Sequence, residues 1–189
     1  MTAPPDFAIR AAVVAGARSP CAKSKRGAAV FAPGANPDRA CYGIGWNGQP
    51  EPFACAGTDA CRAACGQLCL HAEHRAIHNA ILVAERRLGR TMCYTLRDLA
   101  LVHAKVVDDH LVAGGGPSCL RCSAEILDVG LAAVWLYEAP RCTCGRAGAV
   151  HDDDCFIFPT HGEAGTWRRY TAENFHRATL RHHGLEVRQ

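Results

Sequence analysis

Apolar positions recur along the chain with two different periods, and the switches between them outline the fold. "FAIRAAVVAGARS" is rich in alanine, stops before Pro20 and predicts a helix. Two short apolar runs follow, "GAAVF" (Gly27 to Phe31) and "RACYGIGWN" (Arg39 to Asn47), joined by the turn-forming "APGANPD". They predict a hairpin. Residues 48 to 70 read as a loop with Gly, Pro and cysteines. From about His71 to Leu88, the residues Ile77, Ile81, Ala84 and Leu88 form a helical stripe, with Gly89 as its stop and Leu82 expected to be buried alongside.

"LALVHAKVV" (Leu99 to Val107) predicts a third strand, which "DHLVAGG" extends or turns. A second core helix runs from about Cys119 to Val129 and closes at Gly130. "LAAVWLYE" (Leu131 to Glu138) is apolar at nearly every position, as a strand covered on both faces must be. A cysteine-bearing loop over 139–162 and a helix near Ala172 to His182 finish the chain. The order α-β-β-α-β-α-β-α predicts one domain over 1–189, an α/β protein built as a three-layer α/β/α sandwich on a mixed sheet. There is no internal repeat.

Composition narrows the function classes. The chain has 189 residues, 49% of them hydrophobic and 21% charged, which suits a single substantial core. Charged residues interrupt every apolar run before the ~18 residues that a membrane span needs. No basic segment precedes the first apolar run, so no signal peptide is expected, and cytoplasmic residence follows. The net charge of +3 is too small for a global nucleic-acid-binding field. It is uneven, however: Arg10, Arg18, Lys23, Lys25 and Arg26 crowd one end, and Arg168, Arg169, Arg177, Arg181 and Arg188 the other. These are either two solvated faces or phosphate contacts. Twelve cysteines without a secretion signal point to metal ligands and buried thiols before disulfides.

The chemistry concentrates at two helix starts. In "CLHAEHRAI", His71 opens the helix and Glu73 follows two residues later; in "GGGPSCLRCSAEIL", Cys119 and Cys122 stand at i, i+3. If both helices lie on one sheet face, the imidazole and the two thiols converge on one ion, and the positive helix ends favour thiolates. Three protein ligands leave the fourth zinc position open, the mark of a catalytic site, and the ion acidifies a water there. Glu73 is then free to move that water's proton. The competing reading is a closed structural zinc site completed by another cysteine. A metalloprotease is excluded by order, because its Glu must directly follow the first His. His74 and His78 are expected to face solvent or to support the site.

The pairing of His71-Ala72-Glu73 with Pro117-Ser118-Cys119-Leu120-Arg121-Cys122 resembles the cytidine/deoxycytidylate deaminase superfamily. "ARSPCAKSKRGAAVF", "GIGWNG" and "CLHAEHRAI" bring the likeness closest to deoxycytidylate deaminases, over roughly residues 8 to 138. The resemblance implies a cytidine deaminase-like fold, a homo-oligomer, and Zn2+ held by His71, Cys119 and Cys122, with Glu73 as proton shuttle. It also implies substrate contacts from Asn47 and the Ala72 N–H. Trp46, Trp135 and Tyr137 are candidates to line the pocket, with core packing favoured for Trp135. Ser118 departs from the family pattern, in which Pro directly precedes the first metal cysteine, and this bears on pocket shape. Two sets are candidates for a second, structural zinc, Cys55, Cys61, Cys65 and Cys69, or Cys142, Cys144, His151 and Cys155; the alternative for both is buried or free thiols.

Three functions follow. The first is deamination of a free nucleotide or nucleoside, with Lys23, Lys25 and Arg26 near a 5′-phosphate. The second is deamination of a base in single-stranded nucleic acid. The third is a silent zinc-stabilised binding module, against which Glu73 argues.

Overall fold

The computed structural model describes residues 3–50, 55–61, 63, 69–88, 96–114, 116–139 and 165–185. The Gly89 stop, Cys65, and the set Cys142, Cys144, His151 and Cys155 lie outside these described residues.

The first helix, α1 (Asp6–Ala17), leads into the hairpin β1 (Lys25–Phe31) and β2 (Cys41–Trp46). Helix α3 (Ala72–Leu88) precedes β3 (Ala100–Val107), and α4 (Leu120–Asp128) precedes β5 (Ala133–Glu138). The chain closes with β6 (Thr166–Tyr170) and α5 (Ala172–His182). Two short elements complete the set, α2 (Pro37–Ala40) and β4 (His110–Val112). The strands form one six-stranded sheet in the order β2-β1-β3-β5-β6, with β4 folded back on β3. Only β3 and β5 run parallel; every other pairing is antiparallel, so the sheet is mixed.

Side chains alternate cleanly across this sheet. Ala29, Phe31, Ala100, Val102, Ala104, Ala133 and Trp135 pack against Ala8 and Ala12 of α1. Ala28, Val30, Leu101, Val134 and Leu136 point the other way, into a core shared with Ala76, Ile77 and Ala80 of α3, Ile126 of α4 and Phe175 of α5. The expected three layers are present: α1, the sheet, then α3, α4 and α5. Strands apolar on both faces give the unbroken runs of the sequence. Among the described residues no helix is long and apolar enough to cross a membrane.

Helix α3 lies unusually close to β2. A Cβ on Gly45 would collide with the backbone of Ala72 and Ala76, and one on Gly43 with that of Ala76 and Ala80. Neither neighbour is a flexible side-chain tip, so Gly45→Ala must push the start of α3 off the sheet. We expect a loss of about 3 kcal/mol, at the upper end of overpacking costs, measured by urea denaturation.

Two elements, α2 and β6, depart from the expected order, and β4 resolves "DHLVAGG" as a turn back. The "APGANPD" turn contains a helical turn, α2, because Pro37 stands in its first turn and Asn36 Oδ1 accepts from the Asp38 N–H at 3.0 Å. Asp108 and Asp109 both take positive φ, 48° and 62°, and reverse β3 into β4. Strand β6, "TWRRY", was hidden by its two arginines. It is an edge strand, where Arg168 pairs with Glu138 at 3.3 Å and Trp167 packs on Tyr137 at 5.1 Å between ring centres. Arg168 is therefore half of a local ion pair and not a bare phosphate contact. Leu82, expected in the core, is exposed: it lies off the stripe of Ala76, Ile77, Ala80 and Ala84.

Candidate active site

The two helix starts meet on the α3/α4 side of the sheet. His71 precedes the first turn of α3; Cys119 is the N-cap of α4, its sulfur accepting from the Cys122 N–H at 3.4 Å. His71 Nδ1 lies 3.2 Å from Cys119 Sγ and 3.4 Å from Cys122 Sγ. All three ligand atoms fall within 4.8 Å of one another, and no other such trio of His, Cys, Asp or Glu occurs among the described residues. Zinc bond lengths place tetrahedral N and S donors roughly 3.6 Å apart. The observed spacing fits.

The proton affinities also fit a cation. A hydrogen bond from Cys122 is the main cause that draws the Cys119 thiol down to about 4, with His71 adding to it. The same Cys119 sulfur pushes the Cys122 thiol up, helped by burial. The Cys119 sulfur also raises His71 above the usual imidazole range. The Cys119 sulfur is thus favoured as a thiolate, with the imidazole and the second thiol turned toward it. A divalent cation bound where these lone pairs converge would displace the protons the ligands otherwise carry.

Glu73 is 4% exposed, on the first turn of α3. Ser118 Oγ donates to its Oε1 at 2.5 Å, and His103 Nε2 of β3 stands 3.7 Å from the same oxygen. Burial pushes the carboxyl up, but His103 and then Ser118 outweigh it and hold Glu73 below the usual carboxylate range. Burial holds His103 below the usual imidazole range, against the pull of Glu73.

A cavity of about 330 Å³ opens on these groups. His71, Glu73, His103 and Cys119 line it together with Lys23, Arg26, Asn47, Ala72 and His182. Arg26 is buried enough to be drawn below the usual guanidinium range, with Glu73 opposing.

Asn47 is fixed by its neighbours. Its Oδ1 accepts from the Arg26 N–H at 2.7 Å and from Ser19 Oγ at 2.8 Å, while Nδ2 donates to Ser24 O at 2.7 Å. One Nδ2 hydrogen remains for a ligand. Trp46 is not among the cavity-lining residues; its ring carries the Arg75 guanidinium at 5.4 Å. Trp135 packs on the α1 face, as expected of a core residue, and Tyr137 packs on Trp167. Lys23 and Arg26 reach the cavity, but Lys25 turns to the end of α1, with Nζ 3.4 Å from Ala17 O. His74 supports the site's edge through Glu125, 2.9 Å away, and His78 is exposed.

Of the first second-zinc set, Cys55 and Cys61 come together with sulfurs 3.4 Å apart. Cys69 lines a separate small recess with His71, Cys119 and Cys122. Cys21, which the sequence did not single out, contacts Cys55 and helps hold its thiol near 7, after backbone N–H groups of Ala22 and Gly57. His103 was legible in principle: it is the polar member of the otherwise apolar inward series Leu99, Leu101. His182 gave no signal, being one of many polar residues on an amphipathic helix.

Three solved structures are similar to the chain. The apo dCMP deaminase from the cyanophage S-TIM5 matches over 67% of this chain and 76% of that one, at 22% identity and a TM-score of 0.42. The same enzyme in complex with dCMP and dUMP matches over 59% and 63%, at 21% identity and a TM-score of 0.38. Cytidine deaminase from Burkholderia pseudomallei matches over 89% and 92%, at 16% identity and a TM-score of 0.46. All three are deaminases. No family model matches the chain, and no curated protein does. Likeness at this level leaves the reaction to be read from the site itself.

Proposed function

We propose that this protein is a zinc-dependent hydrolase that removes the exocyclic amine of a nucleobase in a free nucleotide or nucleoside, of the deoxycytidylate or cytidine type. One observation carries it: a buried carboxylate shares the wall of one cavity with His71 and Cys119, two members of the His-Cys-Cys trio. His71, Cys119 and Cys122 would hold the zinc, which when bound supplies Lewis acidity that brings the pKa of water to near neutrality. Glu73 takes one proton from the attacking water and gives it to the ring nitrogen, then carries the second, from the hydroxyl now on the ring carbon, to the departing amine. The products are the keto base and ammonia. Ala72 N–H, in the first turn of α3 where helix donors lack internal partners, would bind the ring carbonyl. The remaining Nδ2 hydrogen of Asn47 meets the sugar or base. Lys23, Ser24 and Arg26 form a basic, hydroxylated wall suited to a 5′-phosphate.

The cavity volume lies in the range of small-molecule sites. The test is ammonia release by the purified protein from nucleosides, nucleotides and single-stranded oligonucleotides. Turnover of a mononucleotide, with a KM that changes only a few-fold between 50 and 200 mM salt, is expected. Turnover confined to oligonucleotides, with affinity falling by about 10³-fold or more over that range, would transfer the site to a nucleic-acid deaminase. A second, structural zinc would use Cys55 and Cys61, and it requires a metal content above one zinc per chain, lowered by one ion in Cys55→Ser.

A further inference from the structure

Ser118 and His103 both address one oxygen of Glu73. The Ser118 hydroxyl donates to Oε1 at 2.5 Å, and His103 Nε2 stands 3.7 Å from that same Oε1. Neither is a surface accident: Ser118 and His103 are each 8% exposed, and Glu73 4%. They come from different elements, Ser118 from the residue before the N-cap of α4 and His103 from the middle of β3. His103 occupies an inward strand position whose neighbour in register on β1 is Ala28 and on β5 Leu136, both core residues. Packing alone calls for an apolar side chain there. A polar ring in that place, facing a carboxylate, needs a chemical reason.

We propose that Ser118 and His103 are positioning residues that clamp Oε1 of Glu73 and leave Oε2 as the one oxygen that exchanges protons in the cavity. The inference rests on the reading of Glu73 as the proton carrier. A carboxylate on a two-bond stem rotates freely unless held, and a proton relay needs the same oxygen to face water, ring nitrogen and amine in turn. Ser118 supplies a hydrogen bond to the ionised form. His103 Nε2, at 3.7 Å, lies just outside hydrogen-bond range of Oε1, and a shift of about 0.5 Å would bring it within range. The residue inserted between Pro117 and Cys119 thereby acquires a function: it brings a hydroxyl onto Glu73 while leaving the Cys119–Cys122 spacing intact.

The experiment compares steady-state ammonia release of the wild type with Ser118→Ala, Ser118→Thr, His103→Ala and His103→Gln, on whichever mononucleotide or nucleoside the wild type turns over. Zinc content and melting temperature are recorded for each. Ser118→Ala and His103→Ala are expected to lower kcat on the order of 100-fold, with KM within a few-fold of wild type and zinc retained, the cost of a catalytic group set free by about an ångström. Ser118→Thr and His103→Gln, which restore a donor, should recover about 10-fold. Added imidazole should raise kcat of His103→Ala. The double variant should lose less than the product of the single losses, because both act through one oxygen. Full kcat in the alanine variants, or losses matched by lost zinc and unrelieved by Thr, Gln or imidazole, overturns the clamp. A wild type that releases no ammonia from any base overturns the deaminase reading, and the clamp falls with it.

Discussion

Glu73→Gln keeps its zinc, keeps its fold and loses ammonia release by on the order of 10²- to 10⁴-fold, the usual contribution of a positioned acid–base group. The substitution is nearly isosteric, and it replaces a buried charge with a neutral amide that Ser118 and His103 still reach. No unpaired buried charge is created, so melting temperature should move by only a few degrees. Metal analysis and kcat on the same preparation provide the check. Near-normal turnover would remove Glu73 from the chemistry and require another group to carry the protons.

Cys119→Ala acts on two levels. The sulfur is a member of the trio, and it is also the cap that accepts the Cys122 N–H. Removing it leaves two donors for zinc and takes away a cap, whose loss elsewhere costs about 1 kcal/mol. Zinc content should fall to background after dialysis, activity with it, and the melting temperature should drop. Cys119→Ser separates the effects: the hydroxyl restores the cap and much of the apo stability but does not restore tight zinc. Cys119→Ala with full zinc would refute the ligand set.

Those quartet positions were legible because each rests on local rules. His71 and Glu73 flank Ala72, where the apolar stripe of their helix begins, and Cys119 and Cys122 sit at a spacing that one helical turn brings to one side. The sandwich was legible for a related reason, since strands covered on both faces cannot hide their runs of Val, Ile and Leu. The partners of Glu73 were another matter. Ser118 read as a departure from a familiar pattern, and His103 as one polar residue in a strand. Their meeting depends on β3 lying beneath the gap between two helices, a tertiary fact with no sequence period. Strand β6 was lost because it offers one apolar residue to each core, Trp167 on the α1 side and Tyr170 on the other, a thin signal around two arginines. The placement of Trp46 differs for a similar reason: Arg75 on α3 lies over its ring, a partner set by the helix crossing and not by the strand.

Helix α5 delivers His182 to the cavity wall, where its ring lies against Gly116. An element remote in sequence from the catalytic helices is therefore part of the pocket rim. A substitution on the face of α5 that carries His182 can alter selectivity without touching the metal ligands.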